Sequence, residues 1–376
     1  MKKILVVGGM IRGGGITKFL MNVYTAMGTI KNLQIDFVND TGINDYKDEM
    51  KERGWNVYYV TPIKKNPLKY LLDWFYLLKG VAKNYDVIHF HYDTLIKFVP
   101  VLLAKRFNIP RIIMHSHNSY SETIANNFVA KHIHNLGRYI IAKYATDYFA
   151  CSNKAAEWFY KSDLIKKNKV KIIKNGIFLD SYKFSPTMRK SIREELGIEN
   201  KFVVGHVGRF ETQKNHPFII KVFKEIHNRN KDSVLILIGE GSRKGEIIEL
   251  SNKLGLNDSV YFLGLRNNVN ELLQAMDVFL FPSLFEGLPL SLIEAQTSGL
   301  ISFVSDTIDK EIKCSQFIKF ISLNKEPEFW ANEILKSITN NDLSQRINGF
   351  KQVKDSGYDI VDVATELATL YFKMLE

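Results

Sequence analysis

Short runs of β-branched and aromatic residues alternate with longer amphipathic stretches along the whole chain. This alternation is typical of parallel strands joined by crossover helices, and it predicts an α/β fold. A first series of strands is expected at residues 3–7, 33–38, 56–60, 87–91, 111–115, 148–151 and 169–173. A second series is expected at residues 201–207, 234–239, 260–263, 278–282 and 301–304.

The two series of strands divide the chain into two domains. Its 376 residues, 45% of them hydrophobic, suffice for two domains of roughly 150 to 200 residues each. Residues 180–200, which include Pro186 and a charged stretch, are the natural linker. We predict domains at 1–182 and 183–358 and a closing helix at 359–376 that could cross back to the first domain. Ligands bind beyond the carboxyl ends of parallel strands, so two doubly wound, Rossmann-like sheets would face one cleft.

The cysteine content and the N-terminus indicate a cytoplasmic protein. Only Cys151 and Cys314 are present, without the paired spacing of a disulfide framework or a zinc site. No run approaches the roughly 20 uninterrupted apolar residues of a membrane-spanning helix. Residues 1–7 fit a buried first strand better than a signal peptide.

Positive charge is concentrated in the first half of the chain. The net charge of +11 divides into +13 for residues 1–180, with 27 Lys and Arg against 14 Asp and Glu, and −2 for the rest. A basic surface attracts the phosphates of nucleic acid, anionic lipid or a lipid pyrophosphate, but a solvated face without a partner has the same composition. Residues 64–79 combine Lys with bulky apolar residues at helical spacing, which fits a core-facing helix or one lying on an anionic membrane.

A loop with two basic residues follows the predicted strand at 201–207. Gly208 permits close approach of the backbone to a ligand, and Arg209 and Lys214 are near enough in sequence to reach one diphosphate. A guanidinium and an ammonium at this point would also stabilise the charge of a pyrophosphate leaving group. Taken alone, two such residues are more often solvated charges.

Two carboxylates follow the predicted strand at 278–282. Glu286 is expected in a loop and Glu294 in the first turns of the next helix. They can accept hydrogen bonds from two sets of hydroxyls, such as those of a sugar and a ribose. The backbone amides around 287–290 lie at a helix N-terminus, which favours anionic and hydroxyl ligands. The alternative is a capping carboxylate and a surface helix residue.

A glycine-rich turn follows the first predicted strand. Residues 8–15 end in Gly14 and Gly15 and precede a helical pattern, so a helix N-terminus could face a phosphate there. The turn does not have the G-x-G-x-x-G spacing of dinucleotide-binding folds. By itself such a turn is weak evidence for a site.

Four histidines end two predicted strands of the first domain: His89, His91, His115 and His117. The carboxyl edge of the sheet would place them within reach of a donor or acceptor hydroxyl. No Cys or carboxylate set accompanies them, so we predict no metal site.

The second half resembles the retaining glycosyltransferases of family four, which have the GT-B fold, and is similar to members that make capsular polysaccharide and exopolysaccharide. The most specific motif is the glutamate pair in D-V-F-L-F-P-S-L-F-E-G-L-P-L-S-L-I-E-A at 277–295. Gly208-Arg209 with Lys214, and the segments 239–241 and 262–264, belong to the same pattern. Residues 174–177 resemble the turn that closes the family's first domain, although Phe178 replaces the usual Asp.

The resemblance implies a role for each residue of the motifs. Arg209 and Lys214 would bind the donor diphosphate, Glu286 would contact the transferred sugar, and Glu294 would bind the ribose. Either His115 or His117 would contact the sugar and join Arg209, Lys214 and Glu286 in catalysis. The remaining donor-binding positions would be Gly14, Gly15, Gly208, Gly239, Gly287, Leu288, Pro289 and Leu290.

The resemblance also implies the reaction. A sugar would pass from a nucleotide diphosphate sugar, most often a UDP-sugar in this family, to a hydroxyl of a saccharide or lipid-linked saccharide, with retained configuration, in bacterial surface polysaccharide synthesis. The first domain would bind the acceptor and the second the donor. No cofactor and no metal would be needed, since the chain has no Asp-x-Asp motif.

Partners and alternatives remain open from the sequence. An anionic membrane surface is a further possible partner, with the protein peripheral on the inner face of the membrane, whereas no nucleic acid is expected. One alternative is a nucleotide-sugar epimerase or hydrolase on the same fold. Others are a two-domain dehydrogenase, which lacks its glycine fingerprint here, and a basic module that binds membrane or nucleic acid.

Overall fold

The computed structural model describes residues 1–12, 14–338 and 343–373, with only the backbone of residue 338. The chain forms two compact units, Met1–Gly176 with Ile360–Glu376, and Ile177–Asp359. The division thus lies six residues before the predicted boundary at 182, and the predicted closing helix belongs with the first unit. The last three residues of that predicted helix, 374–376, lie outside the described part of the chain.

A parallel sheet of seven strands forms the first unit. Its strands are β1 (Lys2–Val7), β2 (Leu33–Asn39), β3 (Val57–Tyr59), β4 (Val87–Tyr92), β5 (Arg111–Ser116), β6 (Asp147–Ala150) and β7 (Val170–Ile172). They lie in the order β3-β2-β1-β4-β5-β6-β7. The helices are α1 (Gly15–Ala26), α2 (Lys47–Glu52), α3 (Pro67–Val81), α4 (Val99–Arg106), α5 (Glu122–Asn126), α6 (Phe128–Tyr144), α7 (Asn153–Phe159) and α8 (Ser162–Lys166).

The second unit contains a parallel sheet of six strands. Its elements are α9 (Pro186–Leu196), β8 (Phe202–Val207), α10 (His216–Arg229), β9 (Ser233–Ile238), α11 (Lys244–Lys253), β10 (Val260–Gly264), α12 (Val269–Ala275), β11 (Val278–Phe281), α13 (Leu290–Thr297), β12 (Ile301–Ser305), β13 (Ile318–Ile321), α14 (Pro327–Ile338) and α15 (Ile347–Asp355). The strand order is β10-β9-β8-β11-β12-β13. The prediction of two doubly wound α/β sheets is confirmed.

Strand β13 was not predicted from the sequence, and one expectation about the second unit is wrong. Strand β13 is only four residues long, and exposed Lys319 interrupts its run between buried Ile318 and Ile321. The predicted linker at 180–200 contains helix α9 instead. Pro186 is the first residue of that helix, a position that proline favours, and the Ser185 hydroxyl caps it by accepting a hydrogen bond from the Met188 amide at 3.2 Å.

The last helix, α16 (Ile360–Phe372), completes the core of the first unit. Its residues Val363, Leu367 and Tyr371 are buried in the same cluster as Phe19 and Tyr24 of α1. A core that combines sequence-distant helices in this way depends on both of them. Part of the hydrophobic core of the first unit is therefore supplied from beyond the second unit.

Most of the Lys-rich stretch at 64–79 forms helix α3, one face of which packs into the core. The Asn66 side chain caps its N-terminus by accepting from the Lys69 amide at 2.9 Å. Tyr70, Trp74 and Leu78, spaced four residues apart, are buried and form its core face. Among the described residues, no helix combines the length and hydropathy that a bilayer-spanning segment requires.

Two buried histidines lie beneath the carboxyl end of β8. The His206 Nδ1–H donates to the Leu280 carbonyl at 2.8 Å, and the His216 ring stacks on Phe210 with 4.1 Å between centroids. Burial lowers the pKa of His206 well below its usual value and that of His216 to about 3, and the nearby charge of Lys214 acts in the same direction. Both imidazoles are therefore neutral near neutral pH.

Replacing His216 by Phe should make the protein less sensitive to acid. An unfolded histidine takes up a proton below about pH 6.5, whereas folded His216 does so only near its pKa of about 3, so this stability is complete above pH 6.5 and is lost as the pH falls. The loss amounts to about 1.4 kcal/mol of unfolding free energy per pH unit. Phe would keep the stacking on Phe210 without titrating. Urea unfolding at about pH 7 and about pH 5 should show a smaller drop for His216→Phe than for the wild type.

Exposed His132 supplies the control for this measurement. His132→Phe should keep the wild-type dependence of stability on pH. Equal losses in the wild type and in His216→Phe would contradict the assignment.

Candidate functional site

Two loops that follow strands β8 and β9 lie against each other at the carboxyl end of the second sheet. The Gly208 amide donates to the Ile238 carbonyl at 2.9 Å, and the Phe210 amide donates to the Glu240 carbonyl at 3.0 Å. Gly239 has φ +144°, and a Cβ there would collide with the Gly208 carbonyl oxygen. Glycine is required at 239 for this close approach of the two backbones.

The loops after β8 and β11 meet through an ion pair. The Lys214 Nζ lies 2.6 Å from Glu286 Oε1, and the two side chains are only 13% and 7% exposed. The side-chain amide of Gln213 donates to Glu286 Oε2 at 3.0 Å and to the Phe285 carbonyl at 2.9 Å. Both carboxylate oxygens are thus held, and the structure brings together two of the predicted site residues.

Further contacts fix the position of Lys214. Asn215 adopts a left-handed conformation with φ +56° and opens α10, and its side chain donates to the Pro282 carbonyl at 3.2 Å. The Lys214 Nζ also lies 4.7 Å from the centroid of the Phe281 ring. The ammonium is consequently held between a carboxylate and an aromatic ring, where an anionic ligand could compete for it.

Arg209 stands apart from this contact. Its side chain is exposed and makes no ion pair with any residue that the structure describes. The structure therefore places Arg209 on the same loop as Lys214 but does not join it to Glu286. An exposed guanidinium beside Gly208 is available to an anionic ligand.

The segment from Gly287 to Leu290 connects Glu286 with α13. Gly287, Leu288, Pro289 and Leu290 are all buried, and α13 begins at Leu290 without a side-chain cap. The first amides of a helix have no partners within the helix. This end of α13 therefore has backbone amides that could donate to a ligand, and the side chain at its N-cap position, Pro289, makes no capping hydrogen bond.

Glu294 lies inside α13 and is fully buried. It forms a hydrogen bond with Tyr182, and burial together with this carboxylate raises the pKa of the tyrosine well above its usual value. The alternative reading of Glu294 as a surface residue is therefore wrong. Sequence reasoning missed Tyr182 because nothing in the motif points to a tyrosine more than 100 residues earlier.

Hydrogen bonds from a threonine side chain stabilise the glycine-rich turn of the first unit. The Thr17 hydroxyl donates to the Gly9 carbonyl at 2.8 Å and accepts from the Ile11 amide at 3.1 Å. Gly14 precedes α1 and Gly15 is its exposed first residue. Residue 13 of the predicted turn lies outside the described residues.

The four predicted histidines form one buried cluster in the first unit. His91 Nδ1 and His117 Nε2 are 2.9 Å apart, and the rings of His115 and His117 stack with 4.2 Å between centroids. His117 keeps the largest exposed fraction of the four, although it too is buried. Burial lowers the pKa of His117 to about 3, so its imidazole can donate or accept a hydrogen bond but carries no charge near neutral pH.

The sequence profiles of two known families match the chain. Glycosyltransferase Family 4 matches residues 13–181, and Glycosyl transferases group 1 matches residues 188–351. The second match contains Arg209, Lys214, Glu286 and Glu294.

Known proteins agree with these matches. The putative glycosyltransferase EpsF of Bacillus subtilis is 32% identical over 347 residues, which cover 89% of this chain and 88% of that protein. The UDP-Gal:alpha-D-GlcNAc-diphosphoundecaprenol alpha-1,3-galactosyltransferase of Escherichia coli is 26% identical over 345 residues, covering 89% and 87%. Anabaena Alr3699/HepE, solved with UDP and glucose, has a TM-score of 0.81 at 19% identity, with 100% of both chains covered. The chain therefore belongs to the glycosyltransferases of family 4 and has their GT-B fold of two parallel-sheet domains.

Proposed function

We propose that this glycosyltransferase transfers a sugar from a UDP-sugar to a hydroxyl of a lipid-linked saccharide, with retained configuration, in bacterial surface polysaccharide synthesis. The observation that carries the proposal is the buried contact of Lys214 with Glu286, steadied by Gln213. It holds a cation for phosphate and an acid for sugar hydroxyls side by side at the carboxyl end of the second sheet, where α/β sheets bind their ligands.

In this proposal Lys214 and Arg209 bind the donor diphosphate. Both are cations on the loop after β8, and Arg209 has no competing ion pair among the described residues. Their charges would stabilise the negative charge that grows on the departing diphosphate, which is the main task of a protein in such a reaction. Gly208 and Gly239 allow the backbone of the two loops to approach the phosphates.

Glu286 is proposed to accept hydrogen bonds from the transferred sugar. Gln213 holds the second oxygen of its carboxylate, so the acid keeps its orientation when Lys214 turns to the phosphate. The backbone from Gly287 to Leu290 would donate to sugar or phosphate. Glu294, whose carboxylate is oriented by its hydrogen bond with Tyr182, would accept hydrogen bonds from the ribose hydroxyls.

The first unit is proposed to contribute Gly14, Gly15 and His115 or His117. Of the two histidines, His117 fits contact with a sugar better, because it follows β5 and keeps some exposure while His115 has none. A neutral His117 would act as a hydrogen-bonding group, not as a cation. Its role is positioning of a hydroxyl near the reacting carbon.

The proposed reaction needs no general base from the protein. The bond between C1 of the donor sugar and the phosphate oxygen breaks, the acceptor oxygen bonds to C1 on the same face, and the acceptor proton passes to the departing phosphate oxygen. The charges of Lys214 and Arg209 replace the divalent metal that other transferases use at the diphosphate. No cofactor takes part.

The identities of donor and acceptor rest on relatives and charge. The E. coli relative is named for a UDP-galactose donor and a diphosphoundecaprenol-linked acceptor, and HepE was solved with UDP. The net charge of +13 over residues 1–180 suits an acceptor that carries a pyrophosphate. An epimerase or hydrolase would act on the UDP-sugar without an acceptor.

A membrane surface is the second proposed partner, contacted by helices α3 and α6. In α3, Leu68, Leu72 and Tyr76 are 68%, 46% and 65% exposed and four residues apart, so they share one outer face. Lys69 is exposed on the same helix, and exposed Lys65 lies just before it. Apolar side chains flanked by lysines are typical of helices that lie in the interface of an anionic membrane.

Helix α6 extends this surface. Phe128 and Tyr139 are 76% and 62% exposed, and α4 packs against both α3 and α6. Lys131 and Lys143 of α6 are exposed as well. We therefore expect the protein to bind peripherally to the inner face of the membrane, where lipid-linked acceptors are found.

Removing either partner of the buried ion pair should abolish most of the transfer. Lys214→Ala and Glu286→Ala should each lower kcat by about 10²–10³-fold, the usual effect of losing a group that stabilises the transition state. The measurement is the initial rate of UDP release with a lipid-linked acceptor. Because loss of one partner of a buried pair also destabilises the fold, circular dichroism and Tm must accompany each rate.

The control is Lys201→Ala, which removes an exposed ion pair with Asp232 in the same unit. This variant should keep wild-type turnover. Near-full turnover in both folded site variants would refute the roles of Lys214 and Glu286.

Product analysis should show retention without a requirement for added metal. With an α-linked UDP-sugar, nuclear magnetic resonance of the product should show an α-linkage, because the acceptor attacks from the face that the diphosphate leaves. Adding Mg²⁺ or Mn²⁺ should not raise the rate, since Lys214 and Arg209 supply the charge. A β-linked product would exclude retention, and epimer or free sugar formed at full rate without acceptor would favour the epimerase or hydrolase.

Binding to vesicles should depend on anionic lipid and on the exposed residues of α3 and α6. The double variant Tyr76→Glu with Phe128→Glu should bind anionic vesicles at least about tenfold more weakly in co-sedimentation, because charge replaces inserted apolar surface. Val361→Glu, at an exposed position of α16, is the matched control and should bind as the wild type does. Equal binding to neutral and anionic vesicles would contradict the proposal.

A further inference from the structure

The histidine cluster contains more imidazoles than the proposed transfer uses. His89 and His91 lie on β4 and His115 on the neighbouring β5, where His91 is paired with His115. His89 and His115 are wholly buried and His91 almost so. Of the four histidines, only His117, which follows β5 and keeps some exposure, suits the proposed contact with a sugar.

Several ring nitrogens in this cluster have no hydrogen-bond partner among the described residues. These are both nitrogens of His115, Nε2 of His89 and Nδ1 of His117. A buried polar atom without a partner costs about 1–3 kcal/mol, and native structures contain few of them. In addition, one ring nitrogen from each of His89, His91 and His115 lies within 4.8 Å of those of the other two.

Two tyrosines hold the opposite nitrogens of these rings. His89 Nδ1 lies 2.6 Å from the Tyr371 hydroxyl, and His91 Nε2 lies 3.1 Å from the Tyr24 hydroxyl. A hydrogen bond to the second ring nitrogen fixes the tautomer and the orientation of a metal-binding histidine. The same bonds leave His89 Nε2 and His91 Nδ1 directed away from the tyrosines.

We propose that His89, His91 and His115 bind a transition metal ion, with Zn²⁺ the expected species. The fourth position lies near His117, whose Nε2 is 2.9 Å from His91 Nδ1. Two nitrogens that share a tetrahedral ion at about 2.0–2.1 Å are roughly 3.3 Å apart, so a small movement of these rings would suffice. The sequence prediction of no metal site had relied on the lack of Cys and carboxylate ligands.

The chemistry of the ligands selects the ion. Imidazoles without carboxylates favour Zn²⁺, Cu, Ni or Co over Mg²⁺ and Ca²⁺, which prefer oxygen ligands. The ion would join β4 to β5 and, through Tyr24 and Tyr371, stabilise the contacts of α1 and α16. Its proposed role is structural and separate from the diphosphate chemistry of Lys214 and Glu286, which belong to the other unit.

The metal content of the protein tests the proposal directly. Protein purified without a histidine tag from Zn²⁺-supplemented cells should contain about one Zn²⁺ per chain by inductively coupled plasma mass spectrometry. Protein refolded with Co²⁺ in place of Zn²⁺ should show the visible absorption bands of a tetrahedral nitrogen site. Adding Zn²⁺ to metal-free protein should raise its Tm.

The variants His115→Ala and His132→Ala form a matched pair. Both remove one histidine of the first unit, but only His115 belongs to the cluster, so His115→Ala should lose the Zn²⁺ and the Zn²⁺-dependent rise in Tm while His132→Ala keeps both. Wild-type protein without bound metal, without Co²⁺ bands and without a shift in Tm would overturn the proposal even if His115→Ala failed to fold. Equal metal content in the two folded variants would do the same.

Discussion

The ammonium of Lys214 and the carboxylate of Glu286 determine how the loops of the second unit lie. A buried charge without its counterpart costs several kcal/mol, so these two side chains must meet. They can do so because β8 and β11 are neighbours in the sheet although more than 70 residues separate them in sequence. A ligand that draws Lys214 away from Glu286 must therefore bring negative charge of its own, and a diphosphate does.

Most of the fold followed from the sequence because its strands are short, β-branched and regularly spaced. All twelve strands that this pattern predicts occur in the structure, whereas β13 does not show the pattern because Lys319 interrupts its apolar face. Helix α9 was missed for a different reason. Its proline was taken as a break, but proline at the first helical position favours a helix.

The candidate site was only partly predictable. Lys214, Glu286 and Glu294 could be chosen because each belongs to a motif that follows a strand. Gln213 and Tyr182 could not, since their importance comes from hydrogen bonds to residues far away in the chain. Thr17 could not be predicted either, because its hydrogen bond to the Gly9 carbonyl exists only in the folded glycine-rich turn. Residues whose role is to hydrogen-bond and orient other site residues are therefore hard to predict from local sequence patterns.

The return of α16 to the first unit has a consequence for synthesis on the ribosome. The chain is synthesised from the N-terminus to the C-terminus. Residues 1–176 are therefore complete before Val363, Leu367 and Tyr371 are translated. At roughly 5–20 residues per second, the intervening 183 residues take about 10 to 40 s. During that interval the nascent first unit exposes the apolar surface of α1 that α16 later covers. The second unit, whose residues are continuous, can finish folding before the first.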